Sequence, residues 1–409
     1  MNLPREPAAA LRTAIESSDP STARAALRTL HEPAALVEVA CSAALRGIAQ
    51  AALAGLTEEA LVARVAHGAT DAIVAKDAAK RLTQQELLVE LALSEAQPIV
   101  RRMAVKRLTE GSLLVRLATS DGDVDVALTA LEQLEARDAL ARVATDAAHP
   151  ELRARAVERV EDGRVLTSIA KHDTDAGVRR AALERLRSPR LVSEVARAAE
   201  HADVRASAVK SLGSGRLVAD IAEGDADAEV RFAALRKTED QAALIRVAQK
   251  DPDFRLRREA VLRIKDRQLV ARLSKEDPAW QVREAAIRRV RDQPTLRNRA
   301  ELDPSWQVRK AAVERVDSQA VLTKRGRTDD HPAVRLTAVR RADDQVMLAN
   351  RAQWDDSVQI RQAALARISD ASVLASIVSG GADAAVREAA RERLGLLQEV
   401  KASKPAADV

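Results

Sequence analysis

DPAWQVREAAIRRVRDQPTLRNRAEL, residues 277–302, is followed without a gap by DPSWQVRKAAVERVDSQAVLTKRGRT, residues 303–328. The two stretches align residue for residue, so the chain repeats itself with a period of 26. Stepping by that period from Arg283 leads forward to Arg309, Arg335, Arg361 and Arg387. Backward it leads to Arg257, Arg231, Arg205, Arg179, Arg153, Ala127, Arg101, Ala75, Ala49 and Ala23. Arginine stands at eleven of these fifteen positions, and no insertion breaks the register. Self-similarity at a fixed period is the sequence signature of a repeat architecture.

Each unit carries two apolar stretches. The first places apolar residues one before the key arginine and three, four and seven after it, as in Val178, Ala182, Leu183 and Leu186. That spacing makes one stripe of a 3.6-residue helix. The second places them at twelve, thirteen and sixteen, as in Leu191, Val192 and Val195, and predicts a helix of about eight to ten residues, partly 3₁₀ in its shortness. Asp162, Asp240, Asp266 and Asp292 precede second helices and suit the N-cap, where a carboxylate accepts from backbone N–H groups. A two-helix unit this small cannot bury its apolar face alone and must stack on its neighbours. The expected fold is all-α: an α-solenoid superhelix of about fifteen 26-residue units.

The composition agrees. Ala, Leu and Val supply most of the apolar content, with no Tyr, two Phe and three Trp in 409 residues. Small side chains let short helices approach closely, whereas a globular core normally carries more aromatic bulk. The single cysteine, Cys41, excludes an internal disulfide framework and a cysteine-cluster metal site, and its apolar surroundings predict a buried structural thiol. The N-terminal residues lack a signal-type apolar core, and no stretch approaches the roughly 18 apolar residues of a membrane span, so a cytoplasmic location is expected. Net charge is +5, with the basic excess in residues 254–300, where 14 basic face 6 acidic side chains. A uniformly basic nucleic-acid binder would show far more.

The domain reading is one continuous solenoid over residues 1–400, with degenerate units in 1–96 and regular units in 97–395. A polar tail at 401–409 is expected to fray. Terminal repeats of a solenoid are often atypical because one face has no neighbour.

An Asp six residues before an Arg, leading into a helix that begins VR-x-A-A, resembles the HEAT and HEAT-like repeats. Seven units match both positions: Asp173/Arg179, Asp225/Arg231, Asp251/Arg257, Asp277/Arg283, Asp303/Arg309, Asp329/Arg335 and Asp355/Arg361, with Glu95/Arg101 as a conservative eighth. The resemblance implies a ladder of stacked Asp and Arg side chains between units. The short repeat is also similar to the leucine-rich variant, which alternates α with 3₁₀ helices, although that family's cysteine-rich segment has no counterpart here.

Several further patterns require a bland and a functional reading. The Asp/Arg columns fit structural bonds from each Arg to turn carbonyls and to a neighbouring Asp. A second basic column lies six residues on, from Arg81 through Arg263 and Arg289 to Arg393; acids three residues later suggest a self-paired solvated face, or a phosphate-tracking stripe if unpaired. At the sixteenth position, apolar elsewhere, three successive units carry Arg299, Arg325 and Arg351. Either the second helix rotates there or the three arginines line a groove and meet an anion or an acidic partner. Phe254, Trp280 and Trp306 each lie three before the key arginine, as hydrophobic staples or as an interface strip. His149, His201 and His331 share a register position but are spread over distant units, so they read as turn residues and not as metal ligands. No phosphate loop, nucleophile elbow or metalloprotease motif occurs.

The expected function is therefore a non-catalytic scaffold or adaptor that binds a protein partner along an extended face, best marked within residues 254–351. Its candidate contacts are Phe254, Trp280, Trp306, Arg299, Arg325 and Arg351, and no cofactor or metal is expected. Nucleic-acid binding through the Arg columns is the alternative, and the fold resemblance alone leaves room for a lyase-type enzyme.

Overall fold

The computed structural model describes residues 7–380 and 383–402. Among the described residues there are 30 helices and no strand, from Pro7–Glu16 to Ala384–Ala402. They form two compact units, Met1–Leu212 and Gly213–Val409. Within each, short helices follow one another in the predicted two-helix rhythm, and the fold is an all-α solenoid of HEAT-like repeats. The degenerate N-terminal copies keep this rhythm, with first helices at Pro20–Leu27, Arg46–Ala54 and Ala72–Arg81. The last helix carries Lys401 and Ala402, the start of the expected polar tail; residues 403–409 lie outside the described residues.

The second helices are α-helical over nine or ten residues, as at Gly163–His172 and Arg267–Glu276, and not 3₁₀. Aspartate caps hold the first turn of some of them, while others, such as Gly111–Ser120 and Gln319–Thr328, have no side-chain cap. Asp162 accepts from Arg164 N–H, Asp240 from Ala242 and Ala243 N–H, Asp266 from Gln268 and Leu269 N–H, and Asp292 from Thr295 N–H. Each second helix packs most extensively on the first helix that follows it, across the Asp-containing turn. Similar helices of neighbouring units then pack side by side. The predicted stripes form the core: Val178, Ala182, Leu183, Leu186, Val192 and Val195 are buried, while Leu191 is half-buried. Cys41, expected in the core, is half-buried near the end of helix Pro33–Ser42, and burial pushes its thiol pKa up.

The Asp/Arg columns form the expected ladder, with a division of labour that spacing alone does not reveal. Asp173, Asp251, Asp277, Asp303, Asp329 and Asp355 each give a backbone carbonyl to the Arg of the same unit and a carboxylate to the Arg of the unit before. Arg283 donates Nη1 to the carbonyl of Asp277 at 2.9 Å, and Nε and Nη2 to the two carboxylate oxygens of Asp303, both at 2.9 Å. Arg231 with Asp251, Arg257 with Asp277, Arg309 with Asp329 and Arg335 with Asp355 repeat this fork. The carboxylate also accepts the backbone N–H two residues on, as Asp303 does from Ser305 at 2.9 Å. These buried charges are thus paired bidentately and fully hydrogen-bonded, the condition under which burial of an ion pair is tolerated.

The second basic column does not pair with the acids three residues on. Arg263, Arg289 and Arg159 each reach back to two carbonyls at the end of the preceding first helix: Leu235 and Thr238, Val261 and Ile264, Leu131 and Leu134. Carbonyls at a helix end are under-satisfied, and a planar guanidinium from the next unit donates to them; Leu131 also accepts from Leu134 N–H at 3.1 Å. The acids are committed elsewhere, since Asp266 and Asp292 cap helices.

Candidate functional site

Once both columns are absorbed into the frame, the position three before the key arginine stands out. Phe254, Trp280 and Trp306 are each the first residue of a first helix: Phe254–Arg263, Trp280–Ile287 and Trp306–Val313. Placed at the helix start, their rings project from the turn instead of turning into the core. Phe254 is 38% exposed and Trp280 37%, whereas a staple would be buried. All three line one groove of about 680 Å³ that crosses successive first helices.

The groove also takes in Phe232, which sequence reading passed over. It lies one residue after Arg231, on helix Ala228–Lys237. Positions −3 and +1 are four apart and share a helix face, so Phe232 joins the row that Phe254 begins in the next unit. Helical spacing, applied to the remaining phenylalanine, was the available signal. Four of the five Phe and Trp residues in the whole sequence therefore meet at one groove. The fifth, Trp354, is 58% exposed at the end of helix Gln345–Trp354, outside the row.

Trp306 is fixed by His331, whose ring stacks on it with centroids 3.9 Å apart and planes inclined by 3°. His331 precedes helix Pro332–Val339 and accepts from Ala333 N–H through Nδ1 at 3.2 Å, which orients the ring. The expected turn role of this histidine is met, and it also closes one end of the aromatic row. Beside the indoles lie Gln281 and Gln307, one per unit. Gln307 accepts from Ser305 Oγ at 2.5 Å through its carbonyl oxygen, which leaves the amide NH₂ available as a donor.

The charges of the groove are mostly paired within the protein. Arg255 bridges Asp253 and Glu229 at 2.7 and 3.1 Å, Arg288 bridges Glu284 and Glu314 at 2.5 and 3.3 Å, and Lys310 meets Glu314 at 2.5 Å. The Glu284 hydrogen bond, opposed by burial, raises the pKa of Arg288. The rim is polar but close to neutral.

Arg299, Arg325 and Arg351 do not line this groove. Their side chains are only 14, 13 and 19% exposed, and each reaches the ladder carboxylate four residues on: Asp303 at 3.5 Å, Asp329 at 3.3 Å and Asp355 at 3.3 Å. Each of these Asp residues thus serves two guanidiniums, for Asp355 those of Arg335 and Arg351. Burial works to raise the Asp355 carboxyl, but the Arg335 and Ser357 hydrogen bonds and both arginine charges outweigh it and hold its pKa below the ordinary value. Asp329 is lowered against burial in the same way, chiefly by Arg309. The six candidate residues therefore divide: the three rings converge with Phe232, and the three arginines join the internal ladder.

No protein-family model matches the chain, and no curated protein matches it. Among solved structures it is similar to YibA of E. coli, with 16% identity over 61% of this chain and 97% of that one and a TM-score of 0.27. It is also similar to Kap95p, known from a complex with RanGDP, with 15% identity over 96% of this chain and 60% of that one and a TM-score of 0.25. The UNC-45 chaperone, which binds and folds muscle myosin, shares 12% identity over 97% of this chain and 56% of its own, with a TM-score of 0.28. The chain thus spans little more than half the length of the last two. Likeness at this level carries no argument about partner or activity.

Proposed function

We propose that this protein is a non-catalytic scaffold that binds a protein partner along the first-helix face, with the groove of Phe232, Phe254, Trp280 and Trp306 as its anchoring site. The observation that carries this reading is the gathering of nearly all the large aromatic side chains of an aromatic-poor chain into one solvent-open groove. Exposed aromatic rings in a concave, mostly neutral setting are where protein interfaces concentrate binding energy. The arginine columns speak for a frame and not for a phosphate-binding surface, because their guanidiniums already donate to carboxylates and carbonyls of adjoining units. Among the described residues no helix is long and apolar enough to cross a membrane, and the scaffold is placed in the cytoplasm as part of this proposal.

The test is an affinity capture with the purified full chain, run beside Trp280→Ala/Trp306→Ala and Arg299→Ala/Arg325→Ala/Arg351→Ala. Retention of a discrete protein that the first variant loses and the second keeps is the expected result. Capture unaffected by the tryptophan pair, or salt-sensitive binding of labelled oligonucleotides that the arginine triple abolishes, overturns the reading.

A further inference from the structure

The aromatic groove has a period, and the period selects among polypeptide conformations. We infer that its occupant is a proline-rich segment in the polyproline II conformation, with an apolar or prolyl residue at every third position. This rests on the proposed use of the groove for a protein partner and adds what kind of segment binds.

Three features of the groove carry it. The first is spacing. Phe254, Trp280 and Trp306 occur one per unit at the same helix position, so successive rings are separated by the packing distance of neighbouring helices, about 8–10 Å. A polyproline II helix turns once every three residues with a rise of about 3.1 Å each, and so presents the same face about every 9 Å. A β-strand fails this match, because residues three apart point to opposite sides of the strand. An α-helix presents one face at steps of three and four residues, about 4.5–6 Å, and at seven residues, about 10.5 Å, with a drift of about 20°, so its steps fall short of or beyond the ring spacing. Among the described residues Trp306–His331 is the stacked ring pair, so the three rings of the row do not fill the gaps between themselves.

The second feature is hydrogen-bond polarity. A proline-rich segment lacks many backbone N–H groups but keeps its carbonyls, which no internal hydrogen bond occupies. The groove offers the complement, since the Gln307 amide NH₂ has donors to give, and Gln281 and the indole N–H groups of Trp280 and Trp306 have no hydrogen-bond partner within the described residues. These donors recur once per unit, the same period as the rings.

The third is charge. Arg255, Arg288 and Lys310 are paired with acids in and beside the groove, and of its charged lining residues only Arg258 and Glu259, of opposite sign, have no ion pair among the described residues. A surface so compensated complements an uncharged segment and gives no advantage to a phosphate backbone or a polyanionic peptide.

The probe is a display library of random peptides of about twelve residues, selected on the full chain and counter-selected on the Trp280→Ala/Trp306→Ala variant. The result expected is enrichment of sequences with proline or an apolar residue at every third position. A synthetic labelled representative should bind the wild-type chain at least about tenfold more tightly than the tryptophan variant in fluorescence anisotropy. Gln281→Glu/Gln307→Glu, which leaves every ring in place and exchanges donors for acceptors, should weaken it by a similar factor. Moving the prolines to every second position at constant composition should abolish binding. Enrichment of peptides with helical seven-residue spacing overturns the polyproline inference and leaves the groove as the partner site. No enrichment over the tryptophan variant removes the groove itself. Tight binding unchanged by the glutamine exchange overturns the donor argument and with it the proposed ligand conformation.

Discussion

Replacing Asp355 with Asn tests how strongly the frame beneath the groove depends on its ladder. The Asp355 side chain has no exposed surface and accepts from Arg335 Nε at 2.9 Å and Nη2 at 3.0 Å, from Arg351 Nη1 at 3.3 Å and from Ser357 N–H at 3.0 Å. Asn preserves the shape but removes the charge, and it turns an NH₂ group toward guanidinium N–H groups, donor against donor. Breaking one side of a buried ion pair costs about 3–5 kcal/mol. Arg335 and Arg351 keep 12 and 19% exposure, through which water relieves part of the loss, so we expect the lower end, about 3 kcal/mol. Because repeat arrays open locally, the assay is amide hydrogen exchange. Opening free energies should fall in helices Pro332–Val339, Gln345–Trp354 and Val358–Arg367 and stay unchanged in Ala228–Lys237. The triple variant Arg335→Ala/Arg351→Leu/Asp355→Ala removes the rung entirely and should be milder by about 1–2 kcal/mol, since no buried charge is left unpaired. A cost below about 1 kcal/mol for Asp355→Asn, or a triple variant less stable than the single, refutes the reasoning.

Arg351→Leu alone restores the apolar residue that other units carry at this position, and the Nε of Arg351 is buried without a partner; the stability measured by urea unfolding should change by less than about 1 kcal/mol or rise. Arg289→Lys should cost about 1–3 kcal/mol, because an ammonium cannot fork between the carbonyls of Val261 and Ile264; the loss should show as faster exchange around residue 264. Asp329 and Asp355 both have native pKa values held below the ordinary carboxylate value of 3.8. Their contribution is thus fully present above that value and is lost as pH falls through their lower native pKa values, so urea midpoints should hold from about pH 5 to 7 and drop below about pH 4. Asp355→Asn should flatten part of that drop.

The sequence by itself determined the repeat, its two-helix content, the caps and the ladder, because these depend on spacing within a unit or between neighbouring units in strict register. Even the ladder's gaps are legible in retrospect. Ala127 and Ala147, twenty residues apart like every Arg–Asp rung, are alanine together, and so are Ala23 with Ala43 and Ala49 with Ala69. Where Ala199 removes the acceptor but Arg179 stays, the structure supplies Asp203 at 2.7 Å instead. That rescue depends on side-chain reach, which register does not express.

Only the tertiary structure decided which polar groups are already satisfied. Arg263 and Arg289 have acids three residues away in sequence, but the orphan carbonyls of the preceding helix lie within their reach and win. Arg299, Arg325 and Arg351 stood out as charges at a core position, and a second bond to a buried Asp accounts for them. Phe232 joined the aromatic row because stacking brings one unit's +1 position beside the next unit's −3 position. A linear pattern shows which groups recur; the identity of each partner depends on distances across units, and those are fixed only when the helices pack.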